Sequence, residues 1–111
     1  MLTPAEIYAE VESHPPLMQE EAKGKYLGQE VEWFLTFFSG SLYEDQVHLM
    51  FHHESRRIGW VTGVVPLSDH LWLKTLRAEE PVQVRGRIRS IDAMAINLDI
   101  LELSVPETVT R

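Results

Sequence analysis

The first segment of the chain carries apolar residues at helical spacing. Thr3 precedes a proline, and Glu6 follows three positions later, which is the arrangement of a helix capping box. A helix of about three turns is therefore predicted from residue 4 to the prolines at positions 15 and 16. A second helical piece over residues 17–22 is expected to bring Leu17, Met18 and Tyr26 onto the body of the domain.

From residue 29 the apolar period changes to two, which is typical of β-strands. Strands are predicted near residues 29–38, 47–52, 59–65, 82–89 and 96–105. The first two form a hairpin with a turn between Ser39 and Asp45, and the last changes parity at Ile100–Leu101, which predicts a bulge. The side chains of Trp33 and Trp60 are expected to pack inside the barrel that the strands form. The expected core residues are Val31, Trp33, Leu35, Val47, Leu49, Val82, Val84, Ile88 and Ile96.

Five strands of this length, with a short helix predicted between the third and fourth, favour a small closed barrel. Ser68 is expected to cap that helix, which would run to Arg77. The chain of 111 residues suits one domain over positions 1–111, with a helical segment near 3–22 and a barrel near 28–105. The predicted class is mainly β, a five-stranded antiparallel OB-fold-like barrel with an N-terminal helix.

The segments around the barrel resemble the anticodon-binding-like OB-fold family of bacterial proteins. The matching residues are Lys23-Gly24-Lys25-Tyr26 before the first strand, and Val82 to Ile88 followed by Ile96-Asn97-Leu98. The resemblance covers roughly residues 5–105 and concerns structural positions of the barrel. It implies an OB fold without a catalytic site.

Composition and net charge narrow the range of possible functions further. The absence of cysteine excludes disulfides, thiolate zinc sites and iron–sulfur clusters. No apolar run reaches the ~18 residues of a membrane span, and no basic leader opens the chain, so cytoplasmic residence is the default expectation; a leader removed earlier would leave no trace. A net charge of -7 disfavours polyanionic partners, and all the excess acid lies in residues 1–50.

Several apolar side chains are expected on the outer face of the first two strands. Phe34, Phe38 and Met50 have this parity, and His48 and His52 flank them. Such a patch marks a partner surface or lies under another segment, for which the N-terminal helix is the obvious candidate. Trp72 is a further candidate contact, either in the core or on the surface. Base stacking on the phenylalanines is the less favoured interpretation because acidic residues flank them.

The fourth strand presents an outward stripe of Arg85, Arg87 and Arg89, which could grip phosphates. In an OB barrel this strand lies beside the first, so an ion-pair ladder with Glu30 and Glu32 is favoured over a phosphate groove.

Metal and catalytic chemistry have weak support. His48 and His52 would lie about 13 Å apart on a strand, too far to share an ion, although a turn could bring His53 and Glu54 together. Ser68 and His70 lack an oxyanion-hole motif. No catalytic residue, metal ligand or cofactor is therefore predicted. The expected function is a non-catalytic binding or assembly module acting through protein contacts or self-association, with weak single-stranded nucleic-acid binding as the alternative and metal binding less favoured.

Overall fold

The computed structural model describes residues 3–53 and 60–106, which form helices followed by five strands. The helices are α1 (Pro4–Glu12) and α2 (Gln19–Gly24). The strands are β1 (Glu30–Tyr43), β2 (Gln46–His52), β3 (Trp60–Pro66), β4 (Pro81–Ile91) and β5 (Ala95–Ser104). Short 3-10 helices cover Pro16–Met18, Leu67–Asp69 and Leu71–Thr75.

The strands close into a barrel in the order β1-β2-β3-β5-β4, with β4 pairing back onto β1. Neighbouring strands are antiparallel except β3 and β5, which run parallel. β1 closes the ring because it is long enough to pair twice, with β4 over Glu30–Thr36 and with β2 over Thr36–Tyr43. The OB-fold-like barrel predicted from the sequence is confirmed.

The interior of the barrel is filled by alternate residues of each strand. All nine predicted core residues are buried, and Phe51, Val61 and Leu98 complete the packing. The expectation that Trp60 packs inside is wrong. Val61, Gly63 and Val65 face inward, and the alternation of a strand then turns Trp60 outward.

Irregular pairing bends the strands. β5 has one extra residue at Leu101, because Ile100 pairs with Gly86 whereas Glu102 pairs with Arg85. The bulge predicted near Ile100–Leu101 is confirmed. A second bulge in β1 lies at Phe38, between the positions that pair with Phe51 and Met50 of β2.

The β1–β2 hairpin is longer than the sequence suggested. Ser39–Ser41 was expected to begin the turn, yet it continues β1, and only Glu44 and Asp45 form the turn. Cross-strand pairing with β2 overrides the weak strand preference of Gly and Ser.

The helices close one end of the barrel. The capping box at Thr3 and Glu6 is present, and α1 buries Ile7 and Val11. The hydroxyl of Tyr8 donates to the backbone oxygen of Asp92 in the β4–β5 turn, at 3.1 Å. The expected burial of Leu17 and Met18 is wrong: Leu17 is 96% exposed, and Ala22 and Tyr26 take the buried positions of this segment.

Two 3-10 helices replace the helix predicted from Ser68 to Arg77. Their hydrogen bonds link residues three apart, as from His70 N to Leu67 O. Ser68 is not a helix cap, because its amide and hydroxyl both donate to the Asp45 carboxylate. In the described part of the chain, no helix has the length and apolar character needed to cross a membrane.

Candidate binding surface

Outward side chains of β1, β2 and β3 form an apolar patch on the side of the barrel. We call it the aromatic surface and define it as Phe34, Phe38, Met50, His52 and Trp60. Phe34 is 63% exposed and Phe38 is 38% exposed, although both are large apolar side chains. Met50 is half-buried and has the same outward parity. These three residues lie on the outer face, as the alternation predicted.

Three rings of this surface pack against one another. The ring centroids of Phe38 and Trp60 are 4.6 Å apart, and those of Phe38 and His52 are 6.4 Å apart. His52 also meets Trp60 edge-on at 6.2 Å. Phe38 is the extra residue of the β1 bulge, a feature that re-aims side chains. Phe38, His52 and Trp60 therefore form one packed cluster on this surface.

His52 lies within the cluster and is only 7% exposed. The sequence placed its imidazole at the flank of the patch, whereas Phe38 and Trp60 cover it. Its Nε2 lies 3.5 Å from a carboxylate oxygen of Glu79, and neither ring nitrogen has a hydrogen-bond partner among the described residues. His48 is exposed and lies opposite Val64 of β3, at the margin of the same face.

Neither α1 nor Trp72 belongs to this surface. α1 packs on the end of the barrel through Ile7 and Val11, and Phe34 remains open. Trp72 lies on the 3-10 helix Leu71–Thr75, where it packs partly against the core and lines a separate cleft with Leu103. The predicted contact residues thus divide into an aromatic surface and a tryptophan that lines a separate cleft.

The arginine stripe faces outward as predicted, but two of its members are paired. Arg85 reaches Glu102 at 2.6 Å and Glu30 at 3.4 Å, and Arg89 lies 4.0 Å from Asp99. The expected ladder with β1 therefore exists at Glu30. Glu32 instead accepts a hydrogen bond from Gln83.

The charges of Arg85 and Arg89 are neutralised by neighbouring carboxylates, which disfavours anion binding along the stripe. The hydrogen bond from Arg85 holds the pKa of Glu102 below its ordinary value, and the same contact raises the pKa of Arg85. Arg87 lies opposite Glu30 on β1 and Asp99 on β5, and it forms no ion pair with any described residue. Of the three arginines, Arg87 is thus the one without a direct acidic contact among the described residues.

The described residues contain no assembled metal or nucleophile site. Within the described ranges, no three His, Asp or Glu side chains converge as metal ligands. Glu54, part of the metal hypothesis, lies outside the described residues. Ser68 donates to Asp45, whereas the Nδ1 atom of His70 lies 3.1 Å from the Pro66 backbone oxygen. Ser68 and His70 thus contact different groups and do not form a nucleophile–base pair with each other.

Sequence reasoning missed three participants in these surfaces. Trp60 was assigned to the core, although the inward alternation of Val61, Gly63 and Val65 already signalled its outward direction. Asp99 and Glu102 were not recognised as partners of the arginines. Their pairing depends on the β4–β5 register and its bulge, which residue patterns alone do not specify.

Comparisons with known proteins support the fold. No protein-family model matches the chain, and no curated protein matches it. Asparaginyl-tRNA synthetase from Pyrococcus horikoshii has a similar structure, with a TM-score of 0.61 and 18% identity over 82% of this chain and 23% of that chain. The same enzyme complexed with asparaginyl-adenylate gives a TM-score of 0.60 and 18% identity, over 82% and 22%.

A third similar structure is the OBody AM1L10 bound to hen egg-white lysozyme. Its TM-score is 0.59 with 17% identity, over 77% of this chain and 85% of that chain. The chain thus spans less than a quarter of the synthetase and most of the OBody. At these identities the likeness concerns the fold, and it defines the class as OB-fold-like barrel proteins. The fold implied by the sequence resemblance is confirmed.

Proposed function

We propose that this protein is a non-catalytic binding module whose aromatic surface contacts a protein partner. The observation that carries the proposal is the 63% exposure of Phe34 on the same outer face of β1 as Phe38, whose ring packs with those of His52 and Trp60. Exposed apolar groups of this kind mark interaction sites. Rings already held in place lose little conformational freedom on binding, which favours their use as anchors.

The charges around the aromatic surface define the chemistry of the partner. Glu32 shares the outward face of β1 with Phe34, and a Glu79 carboxylate oxygen lies 3.5 Å from His52. The whole chain carries a net charge of -7. A protein segment that combines apolar side chains with Lys or Arg fits this surface better than an acidic one. The OBody bound to lysozyme supports a protein as a ligand class for such a barrel.

Single-stranded nucleic acid is the second candidate ligand. Phe34 offers an open ring face for base stacking, and Arg87 forms no ion pair with a described residue. The similarity to a tRNA synthetase fold adds support for this class. Against it, acidic partners already occupy Arg85 and Arg89, so few counterions would be released on binding.

Selection from a displayed peptide library tests the protein-binding proposal. The selected peptides are expected to carry aromatic or aliphatic residues next to Lys or Arg. Phe34→Ala should weaken their binding by about tenfold or more, because a central aromatic anchor contributes ~2 kcal/mol. Leu101→Ala is the matched control, since Leu101 is 41% exposed on β5 and lies off the aromatic surface. Equal affinity of both variants for the peptides would overturn the proposal.

Fluorescence anisotropy with a labelled oligothymidine at low salt tests the second candidate. We expect no complex at micromolar protein. A complex that weakens as salt rises and is lost in Arg87→Glu, with no effect of Arg77→Glu, would replace protein binding with nucleic-acid binding. Arg77 is a suitable control because it is exposed and lies outside the stripe.

A further inference from the structure

Among the described strands, the second half of β1 has no partner on one edge. Pairing with β4 ends at Thr36. The N–H of Phe37 still donates to Glu80 O at 2.9 Å, and its carbonyl accepts from Glu79 N at 2.8 Å. Beyond this point β1 pairs with β2 alone among the described strands. We call Ser39–Tyr43 the free edge.

The free edge presents the backbone groups of Gly40 and Leu42. Tyr43 pairs with Gln46 across a two-residue turn, and in such hairpins the flanking pair is hydrogen-bonded. Hydrogen-bonded pairs alternate along an antiparallel ladder, so Ser41 also bonds to β2, and Gly40 and Leu42 direct N–H and C=O away from it. These groups are available to another strand.

An apolar cleft lies beside the free edge. Its volume is about 420 Å³, and Lys74 is its one charged lining residue in the described chain. Phe37, Leu73 and Leu76 line it together with Leu42, which is 57% exposed. The free edge contains no charge and no proline, so it lacks the common devices that prevent strand pairing.

We propose that the free edge pairs with the free edge of a second copy of this chain, antiparallel about Ser41. In this register Gly40 of each copy faces Leu42 of the other, and both pairs use the outward backbone groups. Gly40 has no side chain, so it leaves room for Leu42 of the second copy to enter the cleft. The acidic turn at Glu44 and Asp45 also complements Lys74 in charge. This dimer does not depend on the aromatic surface.

The contact is short, so the dimer forms reversibly and at high concentration. Sedimentation equilibrium from about 10 μM to about 1 mM should show the mass rising from 12.8 kDa toward twice that value. Leu42→Lys should raise the dissociation constant at least ~10-fold, because it places a charge at the paired edge. Leu101→Lys, a comparable change at an exposed leucine of β5, should leave it unchanged.

A second variant separates backbone pairing from side-chain contacts. Leu42→Pro removes the amide that faces the free edge and keeps the ladder to β2, so it should also abolish the dimer. Amide exchange measured by NMR should slow at Gly40 and Leu42 as concentration rises. A monomer at the highest concentration, or a dimer that survives both variants with unchanged thermal midpoints, would overturn the proposal. So would dissociation by Phe34→Ala, because the aromatic surface would then be the contact.

Discussion

Two glycines of the barrel differ in what a side chain would meet. A Cβ atom on Gly63 would overlap the Cδ1 atom of Ile100, the end of a flexible side chain. A Cβ atom on Gly86 would lie 2.7 Å from the backbone oxygen of Asp99. At Gly63 the space for a side chain is therefore occupied by the Ile100 side chain, which can move. At Gly86 it is occupied by the backbone of β5, which cannot move without shifting the strand.

This difference predicts that substitution by alanine lowers the free energy of unfolding by different amounts at the two glycines. Gly63→Ala should lower the free energy of unfolding by about 1–3 kcal/mol, as overpacking does, and Gly86→Ala should lower it further. In the background of Ile100→Ala, the Gly63 substitution should cost much less, because the clashing atoms are gone. Urea unfolding of the single and double variants measures these energies. Additive costs at Gly63 and Ile100 would contradict the contact.

At the scale of elements, one carboxylate attaches α1 to the segment after α2. Glu10 lies 2.6 Å from Lys25 Nζ, accepts a hydrogen bond from the Tyr26 hydroxyl at 2.6 Å, and lies 2.5 Å from His14 Nε2. Contacts with Lys25, Tyr26 and His14 lower the pKa of Glu10 to about 2. Burial and the bond to Glu10 raise the pKa of Tyr26 to about 12.

The sign of the Glu10 shift predicts acid sensitivity. Its folded pKa of about 2 lies below the ordinary value of 4.5, so the stabilisation is complete above about pH 5 and is lost as the pH falls toward 2. Thermal unfolding should show Glu10→Gln less stable than the wild type at pH 6, with the difference shrinking at pH 3. Glu12→Gln, an exposed change on the same helix, is the control. A difference independent of pH would refute the charge-based account.

At the scale of the whole molecule, the helices α1 and α2, which we call the helical cap, share one hydrophobic core with the barrel. Ile7 of α1 is fully buried in the same cluster as Trp33 of β1 and Ile88 of β4. The cap seals the end at which β1 begins and β4 ends, and backbone bonds of Gly28 and Gln29 to Ile88 fasten it there. Cap and barrel should therefore unfold together.

Ile7→Ala tests this coupling. The substitution leaves a cavity and should cost about 2–5 kcal/mol. Far-UV circular dichroism and tryptophan fluorescence, to which the buried Trp33 contributes, should shift to the same lower denaturant midpoint. A loss of helical signal before the fluorescence change would mean that the cap melts on its own.

The sequence predicted the strands and their inward faces because alternation is a local property that burial enforces over several residues. The misassignment of Trp60 has a local cause, because it went against the alternation of β3 itself. The other failures have non-local causes. The partners of Arg85 and Arg89, and the covering of His52, depend on register and on bulges. These follow from how distant strands meet, which no single segment encodes.

The parallel seam between β3 and β5 also has a consequence for how the chain folds. It is the shortest ladder of the ring, and it joins Trp60 to Ala95, 35 positions later. The β4–β5 hairpin forms locally, helped by the Asp92 carboxylate, which accepts the amides of Met94 and Ala95. β3 and β5 can pair only after the β4–β5 hairpin has formed and met β3. The chain loses the conformational entropy of closing this long loop before the β3–β5 contacts stabilise it. Together with the pairing of β1 and β4, whose partners lie still farther apart in the sequence, the meeting of β3 and β5 is therefore expected to limit the rate of folding, in the range of milliseconds to seconds common for barrels.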